Sequence, residues 1–121
     1  MPDSESRFNI GYDSDMVTEK LIYDAVDILV REAQPEKVIL LGSYARGDAG
    51  PDSDIDLLVV EKEVKQKVAE MARLRKALSP LRIPVDVLVT SLGRMTSSWA
   101  DFPGTYLYDA LREGKVLYAV E

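Results

Sequence analysis

"LLGSYARGDAGPDSDIDLLVV", residues Leu40 to Val60, decides how the chain is read. Its two flanks, "KVILLG" ending at Gly42 and "DIDLLVV" beginning at Asp54, are aliphatic and β-branched, and each predicts a buried strand. Between them Ser43 suits a helix N-cap, "YARG" a short helical turn, and "DAGPDS" a loop. The connection is about eleven residues long, too short for a parallel crossover through a full helix, so a mixed or antiparallel pairing of the two strands is expected. The oddity is the pair of aspartates at Asp54 and Asp56. Aspartate is depleted in strands, and burying a carboxylate is unfavourable unless a partner compensates it. A metal ion is one such partner.

Upstream, Val17, Leu21, Ile22, Ala25, Val26, Leu29 and Val30 follow helical spacing and Pro35 ends the run, which predicts an amphipathic helix over 16–33. Downstream, Val64, Val68, Met71, Leu74 and Leu78 predict a second long helix over 61–78, closed by Ser79 and Pro80, and "IPVDVLV" predicts a third strand. The remainder reads as a short helix near 91–99, a loop at 101–104, a helix over 105–112 with Gly114 as its C-cap, and a last strand, "KVLYAV". Residues 1–15 are polar and expected to be loosely held; 16–121 form the single expected domain. This order of elements predicts an α/β (α+β) fold, a small mixed β-sheet of three to four strands with helices packed mainly on one face.

The composition narrows the chemistry. The 121 residues contain no cysteine and no histidine, which removes disulfides, thiolate zinc sites and the commonest general base. Catalysis must then rest on carboxylates, hydroxyls, backbone amides and metal, and oxygen ligands favour Mg²⁺, Mn²⁺ or Ca²⁺. No apolar run reaches membrane-spanning length and the start has no signal-peptide core, so the expected location is cytoplasmic. The net charge of −6 is uneven: residues 1–33 hold eight acidic and three basic residues, whereas Glu61 to Arg82 holds seven basic and three acidic. A solvated helix face accounts for the basic segment, and the overall acidity opposes a nucleic-acid partner.

Strand geometry sends Asp54 and Asp56 to one side, with Cα atoms roughly 6.5–7 Å apart, while Ile55 and Leu57 point to the other. Asp86 lies mid-strand in "PVDVLV"; if the second and third strands are neighbours, three carboxylates converge and repel unless a divalent cation neutralises them. Singly, each feature has an ordinary structural reading: a strand start for Asp54, an arginine partner (Arg82 or Arg94) for Asp86, a strand exit for Gly42-Ser43. Together they describe a phosphate cradle of backbone N–H groups and a hydroxyl beside a metal site.

Gly42-Ser43, ten residues, then Asp54-Ile55-Asp56 resembles the GS-x₁₀-D-x-D motif of the DNA polymerase β-like nucleotidyltransferase superfamily. The longer stretch is similar to its minimal nucleotidyltransferase (MNT) branch, with "VDVLV" where the family keeps a third carboxylate and "LYDALREGKVLY" like the MNT ending; the likeness covers roughly residues 16–118. The resemblance implies that Gly42 and Ser43 bind the triphosphate of a nucleotide, that Asp54 and Asp56 hold two Mg²⁺ ions (Mn²⁺ as an alternative), and that Asp86 completes one metal and helps activate the acceptor hydroxyl. Arg46 is a candidate for neutralising phosphate, and equally a surface arginine contacting Asp48 or Asp52; Tyr44 receives no catalytic role. The implied reaction is transfer of a nucleoside monophosphate, AMP from ATP, to a hydroxyl, with pyrophosphate leaving. The implied partner is a HEPN-domain protein, whose tyrosine would be adenylylated by the chain acting as antitoxin. Two alternatives stay open: an antitoxin that neutralises by binding alone, and transfer to a small molecule such as an aminoglycoside.

Overall fold

The computed structural model describes residues 18–96 and 105–120. Helix α1 (Glu19–Ala33) opens on Thr18, whose side chain accepts a hydrogen bond from the Leu21 N–H, and closes on Gln34 in the left-handed region at φ 47°. Its buried Ile22, Ala25, Val26 and Leu29 sit at i, i+3, i+4 and i+7, the stripe the sequence predicts. Strand β1 (Lys37–Leu41) leads into a five-residue helix, α2 (Gly42–Arg46), and the chain returns as β2 (Ile55–Glu61). Helix α3 (Lys67–Leu78) and a 3₁₀ turn (Ser79–Leu81) precede β3 (Val85–Ser91); short helices α4 (Leu92–Met95) and α5 (Tyr106–Arg112) precede β4 (Lys115–Ala119). Among the described residues no helix is long and apolar enough to cross a membrane.

The four strands form one mixed sheet in the order β3-β2-β1-β4. β1 pairs antiparallel with both β2 and β4, and β2 pairs parallel with β3. The sheet separates two apolar layers. Val38, Leu40, Ile55, Leu57, Val59, Val87 and Val89 face α1 and the buried Leu74 and Leu78 of α3. Ile39, Leu41, Leu58 and Val60 face Met95 of α4 and Leu107 and Ala110 of α5. The two long helices therefore share one face, as expected, and only short helices cover part of the other. Asp56 alternates with Ile55 and Leu57, which places it on that less covered side.

Several local expectations shift. α3 starts at Lys67 rather than at residue 61, because Glu61 still belongs to β2. Met71, Leu74 and Leu78 pack on the core as the spacing predicts, but Val68, in the first turn ahead of that contact, is 80% exposed. Ser43 is not an N-cap: α2 begins two residues earlier than that cap would set it, Leu41 holds the cap position, and no side chain bonds there. Gly114 is not the C-cap of α5, a place taken by Glu113 in right-handed backbone. Its want of a side chain has a packing cause, since a Cβ would stand 2.6 Å from Ile39 Cγ2 and 2.7 Å from the Ala110 carbonyl. The helix expected near 91–99 is present as α4, with 97–99 outside the described residues, as are the loop expected at 101–104 and residues 1–17.

Candidate active site

One end of the sheet collects every motif of the opening stretch. Because β1 and β2 are antiparallel, the end of β1 meets the beginning of β2, and Leu41 is the Cα partner of Asp56. Because β2 and β3 are parallel, the beginning of β3 arrives at the same place, and Asp86 is the Cα partner of Asp56 on the other flank. Neighbouring strands lie about 4.8 Å apart. Asp56 is thus bracketed by Leu41-Gly42 and by Asp86, while Asp54 precedes β2 by one residue. The excursion through α2 and the Pro-Asp-Ser loop brings the chain back to its starting point.

Gly42 makes this junction possible. Its φ is +72°, in the region open to glycine, and a Cβ there would stand 2.5 Å from Asp56 Oδ2. The carboxylate of Asp56 therefore lies directly against the backbone where β1 becomes α2. Gly47, at φ 85°, ends α2, and its N–H and that of Asp48 both donate to the Ser43 carbonyl. The Ser43 hydroxyl is half-buried and makes no hydrogen bond among the described residues.

Charge at the site is out of balance. Asp54 and Asp86 are exposed and Asp56 is half-buried. Burial, followed by the charges of Asp86 and then Asp54, raises the pKa of Asp56, and only Arg46 opposes the rise. A cleft of about 250 Å³ opens beside it, lined by Leu41, Gly42, Arg46, Asp56, Leu88, Asp109 and Glu113. Asp54 and Asp86 stand outside this lining, near enough for their charges to act on Asp56. Among the described residues Arg46 is the one basic side chain lining the cleft; its Nε lies 3.3 Å from Asp48 Oδ2 and its Nη1 3.8 Å from Glu113 Oε1. The Asp48 contact is the surface pairing weighed for it from sequence. Neither Arg82 nor Arg94 forms a salt bridge to Asp86. Tyr44, 2% exposed, belongs to the core.

These oxygens suit a hard divalent cation, because positive charge among them would relieve the repulsion that raises the Asp56 pKa. They are not already gathered into a cage: among the described residues no group of three acidic side chains is set to enclose a metal ion. Asp109 and Glu113 were missed from sequence. Their signal is the i,i+4 spacing in "DALRE", which puts both carboxylates on one side of α5.

A second cleft, of about 290 Å³, lies at the far end of β2 and is lined by residues that include Glu61, Glu70 and Arg73. It shares no lining residue with the first.

Comparison with known proteins agrees with this geometry. Residues 22–110 match the nucleotidyltransferase domain family. A protein of Methanocaldococcus jannaschii described as a protein adenylyltransferase is 33% identical over 107 residues, covering 85% of this chain and all of that protein. A second one from the same organism is 37% identical over 57 residues, and there the match spans only 57% of the relative's length. Among solved structures, a minimal nucleotidyltransferase is 31% identical with a TM-score of 0.58, covering 85% of this chain and 98% of that one. The MNT antitoxin fold also matches in a complex with a tri-AMPylated HEPN toxin from Shewanella oneidensis, at 21% identity and a TM-score of 0.55, covering 84% of this chain and 72% of that one. Sequence motif and sheet register meet at one end of one sheet, within the residues matched to the family: the chain belongs to the nucleotidyltransferase domain family.

Proposed function

We propose that this chain transfers AMP from ATP to a hydroxyl on a partner protein, a tyrosine of a HEPN-domain toxin, and acts as its antitoxin in the cytoplasm. The observation that carries the reading is the register of the sheet, which sets Asp56 between Asp86 and the Leu41-Gly42 turn. The names of the Methanocaldococcus jannaschii relatives and the HEPN–MNT complex support the acceptor class.

In this reading Gly42 and Ser43 present backbone N–H groups and a hydroxyl to the triphosphate, and Arg46 faces its negative charge from the cleft. Asp54, Asp56 and Asp86 would hold Mg²⁺, two ions, with Mn²⁺ able to substitute. When bound, the metal would supply charge neutralisation at the phosphates and would lower the pKa of the attacking hydroxyl. The acceptor oxygen forms a new bond to the α-phosphorus as the bond to the bridging α–β oxygen breaks. Pyrophosphate carries away the displaced electron pair, and Asp86, exposed beside Asp56, accepts the hydroxyl proton.

The test is incubation of the purified chain with a HEPN-domain protein, Mg²⁺ and α-labelled ATP. Label on the partner, lost when Asp54 and Asp56 are both alanine, is the expected result. Full neutralisation by that double variant, with no label transferred, would establish the binding-only reading instead.

A further inference from the structure

The salt bridge between Arg46 and Glu113 joins two elements far apart in the chain, and it does so at the cleft. Arg46 ends α2; Glu113 caps α5, its N–H donating to the Asp109 carbonyl. The end of α5 is pinned there by Gly114. With no Cβ it lies against Ile39 Cγ2 and Leu41 Cδ2, at virtual Cβ distances of 2.6 and 3.1 Å, so α5 rests on the last residues of β1. That seating brings Glu113 over the Gly42–Arg46 segment.

Two carboxylates then grip one guanidinium from different sides. Asp48 faces Nε at 3.3 Å and Glu113 faces Nη1 at 3.8 Å. The third nitrogen, Nη2, makes no hydrogen bond among the described residues. An arginine about half exposed has many rotamers, and ordering it on ligand binding weakens affinity unless it is ordered beforehand. Held at Nε and at Nη1, the planar guanidinium keeps its Nη2 N–H groups for an oxyanion.

We propose that Glu113 is a positioning residue: it holds the Arg46 guanidinium at the cleft with Nη2 left to donate to the phosphates of the nucleotide. The inference rests on the reading of the cleft as a nucleotide site. It assigns a task to the α5 end that is separate from metal binding and from chemistry.

The experiment is calorimetric titration of the full chain with α,β-methylene-ATP and Mg²⁺, a nucleotide that cannot donate AMP, alongside thermal melts. Arg46→Ala is expected to weaken binding at least tenfold. Glu113→Ala should weaken it three- to fivefold, the range open to an exposed ion pair, with the melting temperature unchanged. Glu113→Gln, which keeps an acceptor of the same reach, should recover to within twofold of the parent. In the Arg46→Ala background Glu113→Ala should have no further effect. Binding by Glu113→Ala as tight as the parent's or tighter, or an effect that persists without Arg46, overturns the proposal and leaves the nucleotide site standing. Failure of the parent chain itself to bind overturns both.

Discussion

Replacing Glu61 with glutamine should stabilise this protein at alkaline pH and leave it unchanged in acid. Glu61 ends β2 at the opposite end of the strand from Asp56 and faces the second cleft. Its neighbour Glu70 is already served: Arg73 donates from Nε to Oε1 at 3.0 Å and from Nη2 to Oε2 at 2.8 Å, and also reaches Glu32 on α1. Glu61 is left beside a carboxylate with its own Oε2 buried and without a partner. Burial first, then the hydrogen bond it donates to Glu70 when protonated, then the Glu70 charge, push its pKa up to about 7; Arg73 opposes more weakly. The native chain therefore binds a proton between the ordinary 4.5 and about 7 that the unfolded chain releases, and stability falls as pH rises through that window. The gap corresponds to at most about 3.4 kcal/mol at about 1.4 kcal/mol per pH unit. The cleft is open to water, with Arg73 46% and Glu32 48% exposed, and screening of this kind leaves about 1 kcal/mol. Glutamine cannot ionise and keeps a donor for Glu70. Urea titrations followed by circular dichroism should give Glu61→Gln an advantage of about 1 kcal/mol at pH 8, close to 4 °C in melting temperature for a chain of this size, and none at pH 4.5. Glu70 owes its lowered pKa first to Arg73, present in both proteins, and in part to the donor at residue 61, which glutamine retains. An advantage of equal size at both pH values, or none at pH 8, would show that Glu61 is not the protonated partner.

The site and its supports give further expectations. Asp56→Asn removes a carboxylate destabilised by burial and by two like charges, so without metal the variant should melt higher than the parent at pH 8, while nucleotidyl transfer falls by about a thousandfold or more. Gly42→Ala meets both a positive φ and Asp56 Oδ2, and should lower stability by about 1–3 kcal/mol in chemical denaturation. Gly114→Ala should do so by a similar amount of about 1–3 kcal/mol, because the new methyl displaces α5 from Ile39 and the Ala110 carbonyl. Leu57→Ala, at a fully buried position of the central strand, should lower it by about 2–5 kcal/mol without changing the pH dependence described above.

What could be read in the sequence follows from which forces are periodic or short-ranged. The α1 stripe at Ile22, Ala25, Val26 and Leu29 repeats with the helix, and the aliphatic run of β2 alternates with the strand, so both faces were legible. The antiparallel pairing of β1 and β2 followed from loop length alone. Given that β2 and β3 are neighbours, strand alternation places Asp86 on the side of Asp56, and the sheet makes the two direct partners. The ends of elements were less legible. Ser43 has the chemistry of a cap, but the chain already turns at Gly42, φ +72°, and the helix starts there, two residues earlier than a Ser43 cap would set it. Glu61 reads as helical by its neighbours, yet pairing with Ser91 on β3 keeps it in the sheet.

The residues that escaped the sequence reading are those whose part is set by contact between distant segments. Gly114 looks like a helix stop, and only its distance to Ile39 and Leu41 shows that it seats α5 on β1. Glu113 and Asp109 look like solvated helix carboxylates until that seating turns them toward Gly42 and Arg46. A motif can be recognised when its residues lie within one loop's reach, because the loop itself fixes their geometry. The opposite wall of the cleft belongs to a helix some sixty residues further on, and nothing local records which of its faces will meet the motif. The family's signature is therefore written on β1, α2 and β2, whereas the groups that shape what the motif holds are distributed over α5. Differences among members in nucleotide affinity should accordingly map to that second wall, where substitutions leave the carboxylates of Asp54, Asp56 and Asp86 in place and alter only what faces them.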